Sequence, residues 1–277
     1  MNLIRLIRYD IRQGLLKQGY RYLWVLVVMV ISSMAFRNIL EMGYRGGTFH
    51  AKGTWMDYYL YAMKGMESYK ITQESVFRVP ICWFLFHIML AYHIGDYAES
   101  DLKKYGRQVM MKSKTRMNWW FSKCIWCVTS VCSYYLVAIF VQLVLTVVFG
   151  GSLSVHVSVD IMKNFGGGLI YLDNSQMLMI GVFQPIFISC AVSMVQLLTS
   201  MVIGSVQSYA FVCILYVLSA YYTSPYLIGN YTMWVRNNTI SVGTGIYALH
   251  GILLAFFLIN IAITGGIVYI DKMDILE

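Results

Sequence analysis

From Met177 to Tyr222 the chain runs for 46 residues without one Asp, Glu, Lys or Arg. A helix crossing a hydrocarbon core of ~30 Å needs roughly 20 apolar residues, so this stretch is long enough for two. Its one polar cluster is Thr199, Ser200, Gly204, Ser205, Gln207 and Ser208, which predicts a tight hairpin there. Pro185 predicts a kink in the first of the two helices, and Gln184 and Gln196 are expected to face other helices rather than lipid.

The rest of the chain agrees with this start. Hydrophobic residues make up 58% and charged residues 12% of the 277, against the roughly 25% charged content of soluble domains. The apolar runs do not alternate in the way a membrane β-barrel requires. The expected fold is all-α: a polytopic transmembrane helical bundle forming a single domain over 1–277. Its six spans fall near 22–40, 76–95, 124–149, 177–198, 203–222 and 246–270. The loop Glu41 to Ser75 carries Gly43, Gly46 and Gly47, then an aromatic run, Trp55 to Tyr61, expected to rest on the membrane surface. Segment 223–245, with Pro225, Gly229, Trp234 and Arg236, is too apolar for a solvated loop and too broken for a span, which allows a half-inserted, re-entrant hairpin.

At the amino terminus Leu3, Ile4, Ile7, Ile11 and Leu15 share a helical face beside Arg5, Arg8 and Arg12. That pattern suits an amphipathic helix lying among lipid headgroups, basic side toward anionic lipid; the alternative is an ordinary cytosolic extension. No small-residue cleavage site follows, so the first apolar block is expected to stay as an anchor. With six spans both termini share a side with the loop 96–123, and that side holds thirteen of the 21 Lys and Arg. The density of basic residues places it in the cytoplasm, and the net charge of +8 reads as membrane topology rather than nucleic-acid binding. Trp119, Trp120 and Phe121 are expected to form an aromatic belt opening the third span.

Candidate chemistry is sparse. Cys82, Cys124, Cys127, Cys132, Cys190 and Cys213 lie in or beside apolar blocks, where buried thiols are expected rather than disulfides, and the Cys124-x-x-Cys127 pair has no partner pair to complete a metal site. His87 and His93, in the second span, do not share a helical face and are read as packing or interfacial groups. Gly166, Gly167 and Gly168 lack the Lys-Ser/Thr of a phosphate cradle. No nucleotide-binding, metalloprotease or hydrolase motif is present, so neither enzymatic activity nor a cofactor or metal is expected of this chain.

The segment after the second span reads Asp96, Glu99, Gly106, Val109, Met110, then Lys112, Ser113, Lys114, Thr115 and Arg116, then Lys123 before the third span. With six spans, cytosolic ends and an amphipathic amino-terminal helix, this resembles the membrane (permease) subunits of ABC transporters of the type-2 exporter class. In that family the loop typically shows an acidic residue, a Gly, an apolar pair, a basic-small-basic turn and a Lys. The Pro often found at the turn is replaced here by Lys114. The segment 223–245 is similar to the re-entrant hairpin such permeases carry before the last span.

The resemblance implies a permease in the cytoplasmic membrane. It would work with a separate ATP-binding subunit that supplies ATP and Mg, and with a second copy of itself or a related permease, and it would export a peptide, drug-like or lipid-like substrate. The coupling residues would be Glu99, Asp101, Leu102, Lys103, Tyr105, Gly106, Arg107 and Val109. Leu102, Tyr105 and Val109 would present one face of a short helix, and Lys103 and Arg107 another, to a cleft on the partner. The competing expectation is a non-transport membrane protein, such as a peptide-immunity factor or a scaffold.

Overall fold

The computed structural model of the chain describes residues 3–49, 52–69, 77–106, 116–163 and 173–273. Among these it is all-helical, with two isolated bridges and no strand. The helices are α1 (Leu3–Asp10), α2 (Leu23–Arg45), α3 (Trp55–Ala62), α4 (Ile81–Gly95), α5 (Tyr97–Asp101), α6 (Arg116–Val148), α7 (Asn174–Ile203), α8 (Ser205–Tyr221) and α9 (Ala248–Lys272). Four runs are long and apolar enough to cross a membrane: those holding α2, α6, α7 and α9. The helices α4 and α8, with 15 and 17 residues, are shorter.

The six helices from α2 to α9, leaving aside α3 and α5, alternate in direction between two ends. At one end lie α1, α5 and the beginning of α6, and at the other lie α3 and the segment between α8 and α9. The helix at the centre is α7, which packs on α4, α6, α8 and α9. Its charge-free sequence allows this, because every side chain can be enclosed without an ion to neutralise. A wide turn at Met179–Phe183 precedes Pro185 and lets the chain pass the missing N–H of the proline ring. The turn into α8 falls at Gly204, inside the expected polar cluster, where φ of +95° requires glycine.

Polar side chains join the helices at intervals, as they must where lipid offers no hydrogen bonds. Ser33 donates to Gln142 Oε1 at 2.7 Å, Gln196 donates to the Ala91 carbonyl at 2.8 Å, and Tyr135 meets Ser189 at 2.8 Å. Gln184 and Gln196 are both buried against protein, as expected. The six cysteines are free. His87 is buried with Nδ1 bonded to the Trp83 carbonyl, and His93 packs among the rings of Tyr22, Trp126 and Tyr134.

Several expectations are corrected. Helix α6 begins two turns before position 124, and Trp119 and Trp120 are buried rather than interfacial; Trp120 Nε1 donates to the Ile263 carbonyl of α9 at 3.1 Å. Helix α4 begins after Pro80, not near 76, because proline fits a helix start and not its interior. Helix α7 continues to Ile203 rather than stopping near 198. The aromatic run from Trp55 does not rest on the surface. It forms α3, packed against α2 and α6, and Thr54 and Asp57 close a reciprocal capping box at its start. The glycine run at Gly166 to Gly168 lies outside the described residues.

Segment 223–245 makes two short 3₁₀ turns, Ile228–Thr232 and Trp234–Arg236, enclosed by protein. It is held by Arg236, 1% exposed, whose guanidinium donates to the carbonyls of Ser219, Ala220 (2.6 Å) and Tyr222 (3.2 Å), to Met66 O (2.9 Å) and to Asn230 Oδ1. The last residues of α8 leave carbonyls that no helical N–H can reach, and a buried cation satisfies them. Burial pushes the Arg236 pKa down to about 10, which leaves it charged at neutral pH. Arg236→Met is expected to lower stability by about 3 kcal/mol by orphaning these carbonyls. Lysine, which lacks the planar fork, should restore only part of it. Thermal unfolding of the purified protein in detergent measures both; an unchanged melting temperature in Arg236→Met would show that water reaches the carbonyls instead.

Candidate functional site

The residues expected to couple the chain to a partner sit at the end of the bundle where α1, α5 and the start of α6 meet. Arg5, Arg8 and Arg12 are exposed, and Leu6, Asp10 and Gly14 form the opposite, buried stripe. The amphipathic pattern thus has a polar inward residue that the reading of apolar faces missed. Asp10 is 2% exposed, and it faces the equally enclosed Lys123 of α6.

Lys123 Nζ donates to Asp10 Oδ1 at 2.5 Å and to Asp101 Oδ2 at 2.6 Å. Tyr97 OH donates to Asp10 Oδ1 at 2.8 Å, Ser122 Oγ donates to Asp10 Oδ2, and Tyr9 OH reaches Asp101 Oδ1 at 3.4 Å. The ammonium also lies 4.5 Å from the centre of the Tyr97 ring and 5.0 Å from that of Trp119. Burial, with the nearby Asp10 and Asp101 carboxylates, holds the Tyr97 phenol well above its ordinary pKa, so it remains a donor. One cation between two carboxylates in a dry site ties α1, α5 and α6 together, since no member can leave without exposing an unpaired buried charge.

Two further ion pairs extend this knot. Arg21 forks onto Asp96, with Nη1–Oδ1 2.7 Å and Nη2–Oδ2 2.9 Å, and Nη1 also reaches the Tyr92 and His93 carbonyls at the end of α4. Glu99 pairs with Lys103 at 2.5 Å and accepts from the Ser205 backbone N–H at 2.6 Å and from its hydroxyl. It thereby caps α8, placing a carboxylate at the positive end of that helix. Arg116 donates to the carbonyls of Ile270, Asp271 and Met273 at 3.4, 3.2 and 2.9 Å, closing the end of α9.

Of the expected coupling residues, Glu99 and Asp101 are therefore joined to the bundle, and Leu102 packs on the main core. Lys103 is exposed at 68%. Gly106 lies where a Cβ would come 2.6 Å from the Asp101 carbonyl oxygen, so only glycine fits. Arg107, Val109 and the side chain of Tyr105 lie outside the described residues, as do Met110 and the turn 112–115. Asp10, Arg21 and Lys123 were not marked as site residues by sequence; the signal available was a lone Asp on an otherwise basic and apolar helix. Among the described residues no group of His, Cys, Asp and Glu is placed to hold a metal ion.

Two outcomes follow. Lys123→Met should destabilise the protein by about 3–5 kcal/mol, whereas the triple change Asp10→Asn, Lys123→Met, Asp101→Asn should recover most of that loss. Unfolding of the single and combined variants, compared as a cycle, decides it, and a triple variant no better than the single one would refute the buried-charge account. Glu99 is held below its ordinary pKa by Lys103 first and then Ser205. A depressed carboxylate stabilises the fold above its unfolded value and loses that contribution as pH falls below it. The melting temperature should therefore drop on acidification below about 4.5, the ordinary value, and Glu99→Gln should flatten that drop. No family model, curated protein or solved structure matches the chain.

Proposed function

We propose that the chain is the permease subunit of an ATP-driven ABC exporter. All six helices that alternate between the two ends cross the cytoplasmic membrane, and both chain ends lie on the cytoplasmic side. A separate nucleotide-binding subunit hydrolyses ATP, and a second permease copy completes the pathway for a peptide, drug-like or lipid-like substrate. The observation that carries this reading is the attachment of the loop after α4 to several helices at once. Asp101 binds Lys123 of α6, Glu99 caps α8, and Asp96 binds Arg21 at the start of α2.

A partner that pushes on a loop accomplishes nothing if the loop yields. Here the surface of that loop at the exposed Lys103 stands on ion pairs that run to the start of α2 and into α6, and on the hydrogen bonds of Glu99 to the start of α8. A displacement applied at Lys103 would be passed on to α6 above all, because breaking the buried Lys123–Asp101 pair costs several kcal/mol. The shorter helix α4 ends at this knot and the shorter helix α8 begins there, which makes them the elements a partner would move.

Co-purification tests the proposal. An ATP-binding subunit encoded beside this chain should remain bound to the wild-type permease and be lost when Glu99 to Arg107 becomes a Gly/Ser linker. Lys103→Glu, which alters exposed charge and leaves Asp101 in place, should weaken the complex with the permease still folded. A subunit that stays bound after both changes would overturn the coupling site. A stable complex without ATPase activity would favour the non-transport reading.

A further inference from the structure

A cavity of about 400 Å³ opens at the opposite end of the bundle from the charged knot, between α2, the chain leading into α3, and the end of α6. It is lined by Arg37, Glu41, Arg45, Lys52, Tyr44 and Phe149, among others. Leu40 and Tyr58 of its lining belong to a small hydrophobic cluster, separate from the main core, that they form with Phe36, Phe49 and Ile161. Three cations thus face one carboxylate. Glu41 is engaged by Arg37 at 2.8 Å, and the Arg37 guanidinium lies 4.8 Å from the centre of the Phe149 ring. Among the described residues neither Arg45 nor Lys52 has a carboxylate within ion-pair distance.

The surface leading to this cavity is apolar. Val27, Ile31 and Met34 are exposed on α2, and the same stripe continues at helical spacing into Arg37, Glu41 and Tyr44. Val144, Val147 and Val148 are exposed on α6 just before Phe149. A ligand seated in the cavity would therefore find uncompensated positive charge around its head and bare aliphatic surface along its tail. Guanidinium and ammonium groups together suit a phosphate, which accepts the Arg fork and a point charge at once.

We propose that this cavity binds a phospholipid with a net negative headgroup, its phosphate between Arg45 and Lys52 and its acyl chains along the α2 and α6 stripes. The site is independent of the transport reading above and would serve a permease or a scaffold equally. An anionic lipid there would bridge α2 to the α3 segment and neutralise the cluster at the end of the bundle.

The test is titration of the full-length protein, in neutral detergent, with fluorescent phosphatidylglycerol and with phosphatidylcholine as the uncharged comparison. Arg45→Gln with Lys52→Gln should weaken phosphatidylglycerol binding roughly thirtyfold and leave phosphatidylcholine unchanged. Lys17→Gln with Lys272→Gln, equal in charge lost but exposed at the other end, should change neither. Both cavity residues are exposed; if the pair gives no folded protein, Lys52→Gln alone, expected to cost about fivefold, carries the same comparison. Undiminished phosphatidylglycerol binding in the cavity variant, or an equal loss in the Lys17, Lys272 control, would overturn the site. Inorganic phosphate that displaces the lipid at matching concentration would assign the cavity to a free anion and overturn the lipid.

Discussion

A lysine sealed between two aspartates can exist in a membrane-embedded bundle only if all three side chains arrive together. Lys123 comes from α6, Asp101 from the end of α5, and Asp10 from the amino-terminal helix. Taking any of these ions from water into a dry interior is costly, and the cost is offset only by the close pairing. The contact therefore fixes where α1 lies, how α5 leaves α4, and where α6 starts, and the surrounding donors Tyr97, Ser122 and Tyr9 leave few lone pairs unmet.

The same requirement recurs at helix ends. Arg21 serves the end of α4, Arg116 the end of α9 and Arg236 the end of α8, each by donating to carbonyls that the helix itself leaves unpaired. Glu99 does the converse at the first N–H groups of α8. A soluble protein can leave such groups to water, whereas a bundle of apolar helices must supply the partners from its own few charges. With 12% of residues charged, a good part of the ionic content is committed to structure, and the basic residues left exposed gather at the two ends.

Legibility followed the physics of each feature. The long apolar runs, the hairpin near Gly204 and the inward-facing glutamines could be read because hydrophobic length and isolated polarity are local properties. The burial of α3 could not, because an aromatic run suits a membrane surface and a protein interior equally well. Trp119 and Trp120 were misplaced for the same reason: interfacial and packed tryptophans have one sequence signature. The candidate site was half visible. Glu99, Asp101 and Gly106 stood in a recognisable order, but Asp10 and Arg21 lie 75 residues or more from their partners in the chain, and the one local mark was that Asp10 is a lone acid on a basic and apolar helix.

The amino-acid sequence by itself determined that this is an all-helical membrane protein with a charge-free helical pair and a basic connecting segment, since burying an unpaired charge in hydrocarbon is prohibitive and the chain places almost none there. Only the tertiary structure decided which charges are ligands of the fold and which remain free. Lys123 and Lys103 sit in the same basic segment, yet one is enclosed by two carboxylates and the other is exposed. The difference arises from which distant side chains converge on each, and convergence is a property of packing, not of spacing along the chain.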